Sequence, residues 1–164
     1  MLQDKETVTA YIFDFDGVLV DTMEAHFKCY EKACAEVGVP IDKTKFYSQA
    51  GMSGAEQIAY FSGKAGKTPD IQAVYRRKKE LYADYLGLAT LIKPNYMLLT
   101  SLKAAGVKVA IASGSSKGSI LPLIEKFRIP YDVLVTAEDV SRGKPDPELF
   151  LKAAKNWVSF LSIA

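Results

Sequence analysis

Short apolar runs and longer segments with helical spacing alternate along this chain. Residues 8–13, 107–112 and 132–136 are apolar runs of strand length. Runs of this kind are typical of buried strands in a parallel sheet, whose two faces are both covered. Because helical segments separate these runs, the order of elements predicts an α/β domain with right-handed crossovers.

Apolar residues recur at every third or fourth position in four longer segments. Glycine, proline or polar residues mark the ends of these segments. These predicted helices cover residues 23–37, 94–105, 116–127 and about 146–155. The last begins with Asp146 as its cap and Pro147 in its first turn. Residues 41–88 form further short helical pieces, separated by glycines and Pro69, and no part of them alternates like a strand.

The helical segment after the first strand interrupts the alternation of strands and helices. We therefore expect a discontinuous α/β core of residues 1–22 and 89–164, with a helical domain of residues 23–88 inserted into it. The sequence contains no internal repeat or low-complexity segment that would indicate another architecture.

Composition excludes several classes of partner. The 164 residues carry a net charge of +2, which gives no field of the kind that nucleic-acid binding needs. No apolar run approaches the length of a membrane span, and the amino terminus lacks the pattern of a signal peptide. Cys29 and Cys34 lie on one predicted helix and are expected to remain free thiols. These features predict a cytoplasmic protein without nucleic-acid or membrane partners, and they leave its oligomeric state open.

Two aspartates follow the first predicted strand, one residue apart. Asp14 and Asp16 point to the same side of an extended chain, with Phe15 on the other side, and Gly17 comes next. Charged groups are rarely buried without a partner, so we expect these carboxylates where the carboxyl end of the strand opens on a crevice. A divalent cation or a proton would compensate their charge there.

Three segments resemble the ordered motifs of the haloacid dehalogenase-like superfamily, in its phosphatase and phosphomutase branch. The first is DFDGV at residues 14–18, followed by DT at 21–22; the second is AIASGS at 110–115, and the third is RGKPDP at 142–147. The resemblance extends from about residue 8 to residue 156. It implies a Rossmann-like core with a parallel sheet and a helical cap inserted after the first strand.

The resemblance also implies a role for each motif residue. Asp14 would be the nucleophile that forms an aspartyl-phosphate, and Asp16 would donate and accept the proton. Lys144 would be catalytic and would bind the phosphate with Ser113 and Gly114, because free backbone N–H groups at a strand–helix junction favour an anion. Asp14 and Asp16 are the expected ligands of Mg²⁺. The implied reaction is the hydrolysis of a small phosphorylated metabolite, with sugar phosphates as the favoured class.

Some residues at or within the predicted cap match positions that face substrate in the β-phosphoglucomutase and sugar-phosphate phosphatase branch. They are Thr22, His26, Gly51, Ser53 and Lys78. For His26, a partly buried structural histidine is an equal alternative. The mutase carries an arginine for the distal phosphate where this sequence has Gly54, so the glycine favours a phosphatase, and a phosphomutase is the alternative.

The sequence departs from the resemblance after Glu148. The superfamily has a fourth motif, a further strand that ends in acidic residues of the magnesium site, and no acid follows Glu148 in this sequence. We therefore expect a sequence truncated before that motif, with a core sheet incomplete at its carboxyl end. Residues 158–163 are interpreted either as a surrogate strand or as an extension of the preceding helix. A catalytically inactive fragment is the third interpretation, beside the phosphatase and the mutase.

Overall fold

The computed structural model describes residues 10–49 and 52–161. For residues 157–161 it describes the helical backbone only. The chain separates into two compact units. The first consists of the chain up to Asp21 together with the chain from Leu91 onward, and the second is Thr22–Thr90. Each unit has hydrophobic side chains buried in a core of its own.

The described residues form five strands and eight α-helices. The strands, numbered along the chain, are β1 (Ala10–Phe13), β2 (Val20–Asp21), β3 (Thr90–Leu91), β4 (Lys108–Ala112) and β5 (Val133–Val135). The helices are α1 (Met23–Ala35), α2 (Lys43–Ser48), α3 (Gly54–Lys64), α4 (Ile71–Glu80), α5 (Tyr82–Tyr85), α6 (Lys93–Ala104), α7 (Lys117–Phe127) and α8 (Glu148–Leu161). No helix within the described ranges combines the length and the apolarity that crossing a bilayer requires.

The first unit contains a three-stranded parallel sheet in the order β1-β4-β5. Ala10 lies opposite Lys108 in the first pair of strands, and Ala112 lies opposite Val135 in the second. Residues 109–112 of the middle strand β4 are all buried, which explains why this run is apolar without alternation. The predicted α/β fold with a parallel sheet is confirmed.

One face of the sheet packs against the start of α8. The shared core consists of buried side chains from β4, β5 and α8, namely Ala110, Ala112, Val133, Val135, Leu149 and Ala153. Leu149 and Ala153 are four positions apart and therefore lie on the same face of the helix. Burial of this face fixes the first turns of α8 to the sheet.

The second unit has a core built between helices. It contains Phe27 and Tyr30 of α1, Ile58 and Phe61 of α3, and Val74 of α4. Phe27 and Tyr30 are three positions apart, as are Ile58 and Phe61, so each pair lies on one face of its helix. The apolar faces of these helices therefore form the core of the second unit.

Both cysteines are free thiols within α1. Cys29 and Cys34 are buried, and burial raises the pKa of each thiol to about 11. Both remain protonated at neutral pH, so neither has the character of a reactive thiolate. The expectation of free thiols is confirmed.

Some element boundaries differ from the predictions. Helix α1 ends at Ala35, and Val37 is 39% exposed, because the chain turns away through Gly38 with a φ of +71°. The Asp146 carboxylate accepts the Glu148 N–H at 2.9 Å, as the predicted cap requires, but the first residue of helix α8 is Glu148 rather than Pro147. In both cases a local turn, rather than the apolar pattern, decides where the helix begins or ends.

Other differences concern short elements and the ends of the described ranges. Helix α8 continues to Leu161, which corresponds to the helical interpretation of residues 158–161, and Ser162 and Ile163 lie outside the described residues. Residues 8 and 9 of the first predicted strand also lie outside them. Strands β2 and β3 have two residues each, too few for a sequence pattern to predict.

Asp132 joins the starts of β4 and β5. Its carboxylate accepts the Val109 N–H at 2.8 Å and lies 2.6 Å from Lys103 Nζ of α6, while its own N–H donates to the Val109 carbonyl at 2.8 Å. Partial burial opposes ionisation, but the bonds from Lys103 and Val109 outweigh it and hold the pKa of Asp132 below its ordinary value. The ionised carboxylate therefore stabilises the register of the two strands.

We expect Asp132→Asn to lower the free energy of unfolding by about 1–3 kcal/mol at neutral pH, because an amide replaces an ionised acceptor. A lowered pKa in the folded state adds stability above the unfolded-state pKa, and this stability is lost as the pH falls through the folded-state pKa. The deficit of the variant should therefore shrink below about pH 3.9. Urea unfolding at neutral and acidic pH measures it, with the exposed Asp84→Asn as control. A deficit that is the same at every pH would contradict the ionic contribution.

Candidate active site

Asp14 follows β1 directly and is held from two sides. Its Oδ1 accepts the Phe15 N–H at 2.8 Å, and its Oδ2 accepts a hydrogen bond from Lys144 Nζ at 2.5 Å. The Asp14 and Lys144 side chains are 29% and 37% exposed, so a ligand can reach the pair. The ammonium also lies 5.3 Å from the centre of the Phe150 ring of α8, within cation–π range. The Asp14 carboxylate is thus fixed in orientation and electrically compensated.

A tight turn lies beyond Asp16. The Phe15 carbonyl accepts the N–H groups of Leu19 and Val20 at 2.9 and 3.1 Å, and the Gly17 N–H donates to the Val20 carbonyl at 2.8 Å. Gly17 has a φ of +75°, a conformation that strains other residues. Phe15 and Leu19 are fully buried, so the turn is fixed to the core. This explains why a glycine follows the aspartates.

Asp16 meets the end of β4 through two serine hydroxyls. Ser115 Oγ donates to Asp16 Oδ2 at 2.7 Å, and Ser113 Oγ donates to the same oxygen at 3.2 Å. The Ser113 hydroxyl also accepts the Ser115 N–H at 3.0 Å. Because β1 and β4 are parallel neighbours, residues that follow them lie at the same edge of the sheet. The first two motifs therefore form one polar cluster.

The backbone of Ser113 belongs to the sheet. Its N–H donates to the Val135 carbonyl at 2.9 Å and extends the pairing of β4 with β5. This N–H is therefore not one of the free groups that the strand–helix junction predicts, and the Ser113 hydroxyl is the group that reaches the site. Gly114 is exposed beside it, and nothing lies within 4 Å of the position where its Cβ would be. Backbone at Gly114 can consequently be approached closely by a ligand.

Ser115 is a site residue that the assignment of roles from sequence missed. Its hydroxyl makes the shorter of the two bonds to Asp16, although the residues expected to bind phosphate were Ser113, Gly114 and Lys144. The sequence feature that could have indicated this role is the position of Ser115, two residues after Ser113. Whether that serine reaches the site depends on the turn between β4 and α7, which the sequence pattern does not describe.

Asp14 and Asp16 are the carboxylates at this edge that a cation would use. Among the described residues, no group of three Asp, Glu, His or Cys side chains is arranged to hold a metal ion. Mg²⁺ commonly binds proteins through one or two carboxylates and takes its other ligands from water and substrate phosphate. Two neighbouring, partly exposed carboxylates fit that donor set.

In the second unit, His26 and Lys78 form a polar pair among aromatic rings. Lys78 is 8% exposed, and its Nζ lies 2.9 Å from His26 Nδ1. An ammonium can only donate, so a charged Lys78 in this contact requires an unprotonated His26 Nδ1, with the ring proton on Nε2. The ammonium also lies 4.9 Å from the Tyr30 ring centre and 5.3 Å from that of Tyr82, on which His26 stacks. These contacts compensate the cost of burying the lysine charge.

Two other predicted cap residues have structural contacts at helix starts. Thr22 is buried, and its carbonyl accepts the His26 N–H at 2.9 Å at the start of α1. Ser53 is the N-cap of α3, where its hydroxyl accepts the Glu56 N–H at 3.4 Å and the Glu56 carboxylate accepts the Ser53 N–H at 2.9 Å. Gly51 lies outside the described residues.

Comparison with known proteins identifies the family. The family model for haloacid dehalogenase-like hydrolases matches residues 11–158. The chain belongs to this family. The prediction made from the three motifs is confirmed, and with it the assignment of the chain to the hydrolases.

The relatives of this haloacid dehalogenase-like hydrolase include a mutase and a phosphatase. It is 31% identical over 158 residues to β-phosphoglucomutase of Bacillus subtilis, a match that covers 88% of this chain and 68% of the relative. It is 26% identical to the phosphorylated carbohydrates phosphatase of Thermotoga maritima, with 87% of this chain and 67% of the relative covered. The crystal structure of CbbY from Rhodobacter sphaeroides in complex with phosphate is similar with a TM-score of 0.74 at 25% identity, covering 91% of this chain and 72% of that one.

Gly54, the first residue of α3, lies against two tyrosines of the second unit. A Cβ on residue 54 would be 2.2 Å from Tyr30 Oη and 2.4 Å from Tyr75 Cε2. The two rings therefore occupy the space in which any side chain would begin. In this haloacid dehalogenase-like hydrolase the glycine is a packing requirement, and an arginine at position 54 would need both rings to move.

We expect Gly54→Ala to lower the free energy of unfolding by about 1–3 kcal/mol, because the added methyl group displaces both tyrosine rings. Gly63→Ala is the matched control in the same helix, since nothing lies within 4 Å of its Cβ position. That control should be stabilised by about 0.4–1 kcal/mol. Urea unfolding of the two variants measures the difference. If Gly54→Ala proved as stable as Gly63→Ala, the packing argument would fail.

Proposed function

We propose that the chain hydrolyses phosphomonoesters of small metabolites, with sugar phosphates as the substrate class. One observation carries the proposal. At one edge of the parallel sheet, Asp14 is paired with Lys144 while Asp16 is bonded to the hydroxyls of Ser113 and Ser115. Relatives named phosphorylated carbohydrates phosphatase and hexitol phosphatase A support the substrate class.

Asp14 is the proposed nucleophile. One of its carboxylate oxygens attacks phosphorus, the ester P–O bond breaks, and an aspartyl-phosphate forms. The Phe15 N–H and Lys144 hold the carboxylate in one orientation, which an in-line displacement requires. Water then attacks phosphorus, the bond from phosphorus to Asp14 breaks, and inorganic phosphate leaves with the carboxylate restored.

Asp16 is the proposed general acid and base. It gives a proton to the leaving oxygen in the first step and takes one from the attacking water in the second. The hydroxyls of Ser113 and Ser115 suit both steps, because a hydroxyl can donate to a carboxylate and accept from a carboxylic acid. The side chain of Asp16 can thus keep its position in either protonation state.

Lys144 is the proposed cation for the transferred phosphoryl group. Its ammonium lies against Asp14, where the oxygens of a phosphate bound for attack would also lie. Nothing lies within 4 Å of the Cβ position of Gly114, which leaves open space between Ser113 and Ser115 at the same edge of the sheet. Mg²⁺ held by Asp14 and Asp16 would add positive charge at the phosphate oxygens.

We propose that the second unit is the cap, which selects the substrate. The N–H donors of the His26–Lys78 pair, set among aromatic rings, suit the hydroxyl and phosphate oxygens of a sugar phosphate. The proposed substrate-facing set is Thr22, His26, Gly51, Ser53 and Lys78. Gly54, enclosed by Tyr30 and Tyr75, contributes no cationic group for a second phosphate, which favours a monophosphate.

A phosphomutase is the second candidate. It is favoured by the 31% identity to the β-phosphoglucomutase of Bacillus subtilis. A mutase returns the phosphoryl group to a sugar oxygen, whereas a phosphatase gives it to water. The position of Gly54 against two tyrosine rings is the observation that favours the phosphatase.

We expect Asp14→Asn to abolish turnover and phosphoenzyme formation, because an amide oxygen is too weak a nucleophile to attack phosphorus. We expect Asp16→Asn to reduce turnover by about 10²–10⁴-fold. It should still form some phosphoenzyme from p-nitrophenyl phosphate, whose leaving group needs little protonation. Release of p-nitrophenol with Mg²⁺ present, and trapping of the phosphoenzyme in acid, measure the two effects.

Asp84→Asn is the control for these variants, since Asp84 is an exposed residue of α5 and has no part in the proposed site. It should keep the rate of the unaltered chain. Equal residual rates for Asp14→Asn and Asp16→Asn would refute the separate roles. Absence of turnover in the unaltered chain would favour the inactive interpretation.

We expect hexose monophosphates to yield inorganic phosphate and free sugar, without isomerised sugar phosphate. The physical reason is that water, rather than a second sugar phosphate, is the proposed acceptor of the phosphoryl group from Asp14. Phosphorus NMR of the reaction mixture distinguishes the products directly. If isomerised sugar phosphate formed faster than inorganic phosphate, the phosphomutase hypothesis would be correct.

A further inference from the structure

The carboxylate of Glu148 binds two consecutive backbone amides of the loop that carries Lys144. Its Oε1 accepts the Ser141 N–H at 2.9 Å, and its Oε2 accepts the Arg142 N–H at 2.9 Å. The Glu148 side chain is 27% exposed, so these bonds are partly shielded from water. Each carboxylate oxygen therefore has its own backbone donor, and the segment before Gly143 is fixed in place.

The loop is also closed on the other side of Lys144. The Asp146 N–H donates to the Gly143 carbonyl at 3.0 Å, and the Asp146 carboxylate accepts the Glu148 N–H at 2.9 Å. Residues 141–145 are exposed, so burial of side chains does not hold this segment. Hydrogen bonds to Glu148, the first residue of α8, hold the segment in place instead.

The start of α8 is a firm support for these bonds. Leu149, the residue after Glu148, is 1% exposed, and Ala153 is fully buried against β4 and β5. Phe150 of the same turn places its ring 5.3 Å from the Lys144 ammonium. A continuous set of contacts thus leads from the sheet, through α8 and Glu148, to the backbone just before Lys144.

We propose that Glu148 is a positioning residue, which holds the 141–144 loop so that Lys144 reaches Asp14. The consequence for activity rests on the proposed function, in which Lys144 serves the phosphoryl group. The expected effect of Glu148 on the position of Lys144 does not depend on the proposed function. Glu148 touches neither Asp14 nor the space for phosphate in the described contacts, so it acts through Lys144 alone.

The arrangement needs a carboxylate rather than an amide. A glutamine of the same shape has one acceptor oxygen, and its NH₂ group would face the second backbone N–H. The bonds from Ser141 and Arg142 outweigh desolvation and hold the pKa of Glu148 below its ordinary value of 4.5. The cations Arg142 and Lys152 act on it in the same direction. Glu148 is therefore ionised throughout the neutral range, as two donors require.

The first experiment locates Lys144 without using activity. Reductive methylation of the folded chain, followed by peptide mass spectrometry, measures the labelling rate of each lysine. In the unaltered chain Lys144 should react slowly beside the exposed Lys93, because its ammonium is held by Asp14. In Glu148→Gln the rate at Lys144 should rise severalfold relative to Lys93. An unchanged ratio would overturn the proposal.

Backbone NMR tests the bonds themselves. The amide protons of Ser141 and Arg142 should shift with a shared midpoint below 4.5 as the pH is lowered, because Glu148 becomes protonated there. Both shifts should vanish in Glu148→Gln. Glu125→Gln, an exposed glutamate of α7, is the matched control and should leave these shifts and the labelling of Lys144 unaltered. Amides that do not titrate in the unaltered chain would overturn the proposal.

The third experiment separates positioning from general destabilisation. With p-nitrophenyl phosphate, Glu148→Gln should lower kcat severalfold, and Glu148→Asp, which keeps two acceptor oxygens, should recover part of the loss. In a chain that already carries Lys144→Met, adding Glu148→Gln should cause no further loss of residual activity. A full additional loss in that background would show that Glu148 acts by some route other than Lys144. If the unaltered chain has no turnover, the proposed function fails, while labelling and NMR still decide the role of Glu148.

Discussion

Charge compensation at the carboxyl ends of β1 and β4 is the constraint on which the rest of the structure depends. Two carboxylates separated by one residue cannot lie at the edge of a buried sheet without partners. Asp14 takes Lys144 as its partner, and Asp16 takes the hydroxyls of Ser113 and Ser115. These three contacts join positions that are 130, 97 and 99 residues apart in the chain. The three motifs therefore become one site only when the parallel sheet has formed.

Asp14, Asp16 and Glu148 each stand next to a buried apolar residue. Phe15 is fully buried between the two aspartates, and Leu149 is buried directly after Glu148. The burial fixes the backbone, and the backbone then leaves the polar side chain little freedom. Such preorganisation is what a phosphoryl-transfer site needs, because positioning and charge supply most of its catalysis.

The second unit shows a different balance between packing and recognition. Lys78 is buried there as a charge, which is tolerated because His26 and two tyrosine rings surround the ammonium. Gly54, by contrast, is kept small by Tyr30 and Tyr75. Position 78 thus has a polar group in an apolar setting, and position 54 has none.

The sequence by itself determined the alternation of apolar strands and amphipathic helices, and with it the α/β fold. It also determined the features that depend on neighbouring residues. The turn at Gly17 and the cap of α3, formed by Ser53 and Glu56, each involve only neighbouring residues, although neither was predicted above. Interactions of this kind need only a few residues of chain, so a local pattern is enough to predict them.

The tertiary structure decided the contacts between distant segments. The bond of Ser115 to Asp16, the use of the Ser113 N–H within the sheet, and the pairing of His26 with Lys78 all depend on how separate elements meet. The hold of Glu148 on its loop depends on where the first turn of α8 lies relative to the backbone of Ser141 and Arg142. A one-dimensional pattern contains no information on register or turn geometry at this precision, because both are set by packing over the whole core.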